Sequence, residues 1–204
     1  LETYYHVGPD SIGCLRYAKS LNANVIMGNH EYKAIKWSQH KDYIPNNKEY
    51  YANLTDYDIN YLKSLPLSVK IDKNTYGIHA GINNKNSIDK QTDEDLLTLR
   101  FTDINGKYIS IKKIKKAGSV KLANAYFWTH FYNKPYNIVY GHQIHSTNSI
   151  KVTPISRGIA CYGIDTGVCF GGNLSCLIWD TKEVVQVKAK QVYVGHTNNL
   201  VKEI

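Results

Sequence analysis

Apolar and polar positions alternate in blocks along this chain, and the blocks read as short helices and strands in succession. Pro9-Asp10-Ser11 offers a cap and an early proline, and Ile12, Leu15 and Ala18 follow at helical spacing to Lys19. That helix is predicted to stop before Asn22. Asn24–Met27 is an apolar run closed by Gly28, the pattern of a buried strand. A helix is expected from about Tyr32 to Trp37, then a polar, Asn-rich loop over Gln39–Asn53. Thr55-Asp56-Tyr57-Asp58 has capping-box spacing and opens a helix to Lys63, which Leu65-Pro66 ends. Leu67–Ile71 and Thr75–Ile78 read as paired strands turned by Asp72-Lys73-Asn74.

The second half continues the alternation. Asn83–Lys90 is polar loop, and Asp93-Glu94-Asp95 puts carboxylates at the start of a short helix leading to Arg100. Asn105-Gly106 is a two-residue hairpin signal between Thr102 and Tyr108. Val120–Phe131, with Trp128, is expected to be helical. Asn137–Tyr140, Ile159–Ile164, Leu174–Trp179 and Glu183–Ala189 read as strands, the last two joined by Asp180-Thr181-Lys182. Mixed elements followed by strands suit a two-sheet α/β sandwich.

Composition narrows the setting. The 204 residues suit one domain, and no apolar run approaches a membrane span. The first six residues lack the basic start and apolar stretch of a signal peptide. Cys14, Cys161, Cys169 and Cys176 form no Cys-x-x-Cys pair, so neither a zinc knuckle nor a redox motif is supported. A reducing cytoplasmic or nuclear setting is expected, with no membrane partner given the lack of a membrane-length apolar run. The net charge of +8 favours polyanionic partners. Part of it lies in Lys112-Lys113-Ile114-Lys115-Lys116, either a solvated face or a rim attracting nucleotides, polyphosphate or RNA ends.

The candidate chemistry lies in three strings, Gly28-Asn29-His30-Glu31, Ile78-His79-Ala80-Gly81 and Tyr140-Gly141-His142-Gln143. Each follows a predicted strand, and an open α/β sheet presents its ligands beyond the carboxyl ends of such strands. A strand-end histidine on its own is an ordinary polar group. Three beside glycines could converge, and imidazole nitrogen with amide oxygen suits Zn, Mn or Fe.

The same strings resemble the Asn-His and the two later His motifs of calcineurin-like metallophosphoesterases. Gly8-Pro9-Asp10-Ser11, Thr98-Leu99-Arg100-Phe101, Gly163-Ile164-Asp165-Thr166-Gly167 and Gly171-Gly172-Asn173-Leu174 are similar to its ApaH-like branch, the symmetrical diadenosine tetraphosphatase-like phosphatases. The resemblance implies an α/β metallophosphoesterase sandwich flanked by helices, with Asn29, His79 and His142 as metal ligands and His30 as general acid. Arg100 is the candidate phosphate binder, its guanidinium matching two phosphoryl oxygens. Asp165 is expected to shape a turn. His145 lies one residue beyond the Gly-His-x-His spacing of many members, and its role stays open. His6, His40, His130 and His196 stand outside any motif.

The chain departs from the family at its front. Nothing resembling the family's Asp-x-His precedes Leu1, and Glu2-Thr3 stands where Gly-Asp is usual, with His6-Val7 before Gly8. The expectation is a domain over residues 1–204 that is incomplete at its N-terminus, lacking the first strand and helix; a degenerate pseudoenzyme is the alternative. The intact family site holds two divalent ions, and at most one is expected here. The implied function is metal-dependent hydrolysis of phosphoanhydrides or phosphomonoesters, with dinucleoside polyphosphates, capped RNA ends or polyphosphate as substrates. A Ser/Thr protein phosphatase and an impaired phosphate-binding protein are the alternatives.

Overall fold

The structure, a computed structural model, describes residues 8–39, 51 and 53–195. The expectations at Glu2-Thr3, His6-Val7, His40, His196 and most of Gln39–Asn53 lie outside the described residues. In chain order the helices are α1 (Ser11–Ser20), α2 (Asn29–Ser38), α3 (Asp56–Ser64), α4 (Asp93–Thr98) and α5 (Ile111–Ala117). The strands are β1 (Ser68–Asp72), β2 (Thr75–Ile78), β3 (Phe101–Thr102), β4 (Tyr108–Ile109) and β5 (Tyr126–Phe127). They continue with β6 (Asn137–Tyr140), β7 (Lys151–Ser156), β8 (Ile159–Gly163), β9 (Asn173–Leu177) and β10 (Val184–Lys188).

The main sheet has the order β1-β2-β6-β8-β7. Its three central strands run parallel, so their carboxyl ends meet at one edge, and the outer two are antiparallel hairpin partners. A second layer is the antiparallel pair β9–β10, tied back where the Thr166 hydroxyl donates to Asn173 O at 2.6 Å. A cavity of about 590 Å³ separates the layers, lined by Ile26, Val69, Ile78, Val139, Leu174 and Cys176. The fold is the expected α/β two-sheet arrangement with helices around it, and a small sheet β4-β3-β5 stands beside it.

Burial explains the helices. Leu15, Ala18, Ala34, Ile59 and Leu62 turn one face each of α1, α2 and α3 into a shared core with Val25 and Met27. A second core packs Ile82, Leu96, Leu99 and Trp128 against Ile78, Ile138 and Tyr140 of the main sheet. Caps match the sequence signals. Asp10 accepts the Gly13 N–H at 2.7 Å, and Thr55 and Thr92 open α3 and α4 with reciprocal Asp58 and Asp95 contacts.

Four expectations need correction. Asn24–Met27 is not a strand: among the described residues it joins no ladder, and its Met27 N–H donates to Pro66 O at 2.8 Å. The helix expected from Tyr32 begins at Asn29, because Gly28 and Glu31 form its cap. Val120–Phe131 is not one helix. Phe127 pairs with Phe101 in the small sheet, and Trp128–Phe131 is a 3-10 turn that buries Trp128 completely. Tertiary packing overrides local propensity there. The Asn105-Gly106 hairpin is real, but Asp103 accepts the N–H groups of both Asn105 and Lys107, which widens the loop to five residues, 103–107. Strand β7 went unpredicted because Pro154 interrupts it; its edge position tolerates the missing donor.

Candidate metal centre

The parallel strands carry two of the three histidine-bearing or amide-bearing strings to one place. His79 follows β2 and Gly141-His142 follows β6, and Gly141 N–H donates to His79 O at 3.0 Å, extending the pairing by one step. Asn29 arrives from the other side, as the first residue of α2 behind the Gly28 cap.

There the side chains converge. Nε2 of His79 lies 2.9 Å from Oδ1 of Asn29 and 3.0 Å from Nδ1 of His142. Donors held about 2.1 Å from a tetrahedral ion stand about 3.4 Å apart, so only a small spreading would admit one. A single ring nitrogen carries at most one hydrogen, so His79 Nε2 cannot donate to both neighbours at once. Two imidazoles and an amide oxygen fit a divalent cation, and the set carries no negative charge. Among the described residues no group of three or more His, Cys, Asp or Glu is placed to hold a metal ion; this set has two histidines and an amide.

Electrostatics keep His142 in a ligating form. Burial holds the His142 imidazole well below its usual pKa, and the positive charges of Arg100, His79, His30 and Lys33 push the same way. His142 is therefore neutral near pH 7. His79 is buried too, at 2 % exposure.

The backbone at His142 is strained. Its φ is +64°, and Gln143 N–H donates to Gly141 O at 2.7 Å, closing a three-residue turn around it. A left-handed conformation of this kind costs about 1–3 kcal/mol for a residue with a side chain. Arg100 reaches the turn from 42 residues away, Nη2 donating to His142 O at 2.9 Å.

Two contributors went unassigned in the sequence. Glu31 is only 1 % exposed, and its carboxylate accepts the Gly28 N–H at 2.9 Å, fixing the Asn29-His30 turn. Its position three residues after Gly28 was the available signal. Gly28 itself is required by space: a Cβ there would lie 2.6 Å from Glu31 Oε2 and 2.8 Å from His79 Nδ1. Tyr140 is the other, its hydroxyl meeting His145 Nε2 at 3.1 Å.

The remaining candidates fall as follows. His30 is the second residue of α2, near enough to His142 for their charges to interact. His145 turns to Tyr140 and packs edge-on to Phe127, with ring centroids 4.8 Å apart. Burial pushes its pKa down to about 4. Asp165 accepts the Gly167 N–H at 2.9 Å and shapes the turn, as expected.

Comparison with known proteins bears on this geometry. The calcineurin-like phosphoesterase family matches residues 4–197. A symmetrical bis(5'-nucleosyl)-tetraphosphatase from Wigglesworthia glossinidia brevipalpis is 30% identical, covering 90% of this chain and 85% of its own. The aligned span is 247 positions, longer than this chain, so that relative carries stretches this one lacks. The enzyme of the same name from Baumannia cicadellinicola subsp. Homalodisca coagulata is 41% identical over 28% of this chain and 17% of its own. A crystal structure assigned as a diadenosine tetraphosphatase superposes with a TM-score of 0.71 at 20% identity, over 90% of this chain and 76% of its own, and shares the fold.

Proposed function

We propose that this chain, which belongs to the calcineurin-like phosphoesterase family, is a metal-dependent hydrolase of phosphoanhydrides or phosphomonoesters, acting on dinucleoside polyphosphates, capped RNA ends or polyphosphate. Phosphoesterases of this family use divalent metals. The observation that carries the reading is the meeting of Asn29 Oδ1, His79 Nε2 and His142 Nδ1 within 3.0 Å of the central nitrogen. The nucleotide class is favoured by the tetraphosphatase relative, which matches nearly the whole chain.

In this reading Asn29, His79 and His142 hold one divalent ion. When bound, the ion neutralises phosphoryl charge and makes water a better nucleophile at neutral pH. The chain's own groups do the rest. His30, at the positive end of α2, gives its proton to the leaving oxygen. The guanidinium of Arg100, which donates to His142 O, is the phosphate-binding group of this reading, its planar fork matching phosphoryl oxygens. Residues 1–204 act as one catalytic domain in the cytoplasm; among the described residues no helix is long and apolar enough to cross a membrane. Three neutral ligands hold a cation weakly, so turnover by this chain is expected to be slow.

The test is hydrolysis of diadenosine tetraphosphate, an aryl phosphate and a phosphopeptide with added Mn²⁺. Chelator-sensitive cleavage of the dinucleotide in preference to the phosphopeptide is expected. Cleavage that survives chelation, or preference for the phosphopeptide, contradicts it.

A further inference from the structure

We propose that Arg100 is a positioning residue whose guanidinium, by donating to the main-chain carbonyl of His142, holds the strained turn that aims the His142 imidazole at His79. The inference rests on the reading that Asn29, His79 and His142 form a metal site, and it gives Arg100 a task that precedes any substrate.

The turn has two fixed ends and one exposed weakness. Before it, Tyr140 is 1 % exposed in the main sheet and Gly141 N–H is bonded to His79 O. After it, His145 is bonded to the Tyr140 hydroxyl at 3.1 Å. Between these ends His142 sits at φ +64°, a region that disfavours any residue with a Cβ. Rotation about the His142 N–Cα bond would relieve that strain, and it would swing the His142 carbonyl and its side chain together.

Arg100 opposes that rotation. Its Nη2 lies 2.9 Å from His142 O, and a cationic donor makes a stronger bond than a neutral one. The arginine is itself anchored: its carbonyl accepts Trp128 N–H at 2.9 Å, and its neighbours Leu99 and Phe101 are 1 % and 2 % exposed. That rotation would withdraw the acceptor from Nη2 of an arginine whose backbone is fixed. The charge thus favours the strained conformer over the relaxed one, and the strained conformer sets Nδ1 of His142 3.0 Å from His79 Nε2.

The experiment compares the wild type with Arg100→Ala, Arg100→Gln and Arg100→Lys in two arms. In metal-free protein, backbone amide shifts of Gly141, His142 and Gln143 are read by NMR. In the second arm Co²⁺ is titrated and its visible absorption followed. The expected result is displaced amides in Arg100→Ala, Co²⁺ affinity lowered by about 10-fold or more, and partial rescue by Arg100→Lys. Unmoved amides overturn the inference whatever the affinity, and so do moved amides with unchanged Co²⁺ binding, because the turn then does not serve the site. A wild type that takes up no Co²⁺ removes the metal reading itself, and with it the positioning role, while the metal-free arm still reports on the turn. If Arg100→Ala fails to fold, the Gln and Lys variants decide by the same criteria.

Discussion

His79 and His142, 63 residues apart in sequence, face each other with Nε2 and Nδ1 3.0 Å apart and their rings tilted by 56°. One hydrogen can lie between those nitrogens, and then His79 has none left for Asn29 at 2.9 Å. A cation would engage all three atoms through lone pairs. Burial keeps the His142 imidazole neutral and so able to ligate. Protonation of His142 at low pH would occupy its ring lone pair, so metal uptake is expected to fall on acidification.

His30 should separate from its neighbour by mutation. His30→Ala is expected to lower turnover by about 10²–10⁴, the range for a lost general acid. Metal content should stay near normal. The loss should shrink for an aryl phosphate, whose leaving oxygen needs little protonation. Equal losses on aryl and nucleotide substrates, or loss of metal with His30, would withdraw the role.

Asp58 links α3 to α1. Its carboxylate accepts from Arg16 at 2.8 Å and from Thr55 N–H at 3.0 Å, and the Arg16 hydrogen bond leads in holding its pKa well below the usual carboxylate range. Arg16 is 53% exposed, so the ion pair adds less than the buried cap. Asp58→Ala should destabilise the fold by about 2–3 kcal/mol in urea unfolding. A carboxyl with a depressed folded pKa contributes fully above its unfolded value, near 3.9, and loses that contribution as pH falls toward the folded value. Asp58→Asn should therefore flatten the stability curve on the acid side.

His145 gives a second pH signature. Its folded pKa of about 4 lies below the unfolded value of about 6.5. The unfolded chain binds the extra proton between those values, so stability rises with pH across that window and is complete above it. His145→Phe, which keeps the ring against Phe127, should remove part of that slope, about 1–2 kcal/mol after allowing for partial exposure. An unchanged slope would show that His145 is not buried as a neutral base.

What the sequence could reveal depended on how local each determinant is. Capping boxes at Thr55 and Thr92, the Asp72-Lys73-Asn74 turn and the strands ending in Ile78 and Tyr140 are written within a few residues. The strings at His79 and His142 follow strands that are local features, whereas the Asn29 string follows a segment that joins no ladder among the described residues. The pairing of Phe127 with Phe101, which breaks the expected helix over Val120–Phe131, depends on a partner 26 residues away. The bond from Arg100 to His142 O is longer-range still and involves a main-chain acceptor, which no side-chain pattern records. Asn24–Met27 has the composition of a strand but joins no ladder among the described residues, because a ladder needs a neighbour as well as a sequence.

The account stands most directly on metal binding by the purified chain. Mn²⁺ titration by calorimetry or electron paramagnetic resonance should show one ion per chain in the wild type and in His30→Ala. Binding should be lost or sharply weakened in Asn29→Ala, His79→Ala and His142→Ala, with each variant's melting transition confirming that it is folded. Absence of uptake by the wild type, or uptake that persists unchanged when His142 is removed, would contradict the assignment of these three side chains as the metal centre.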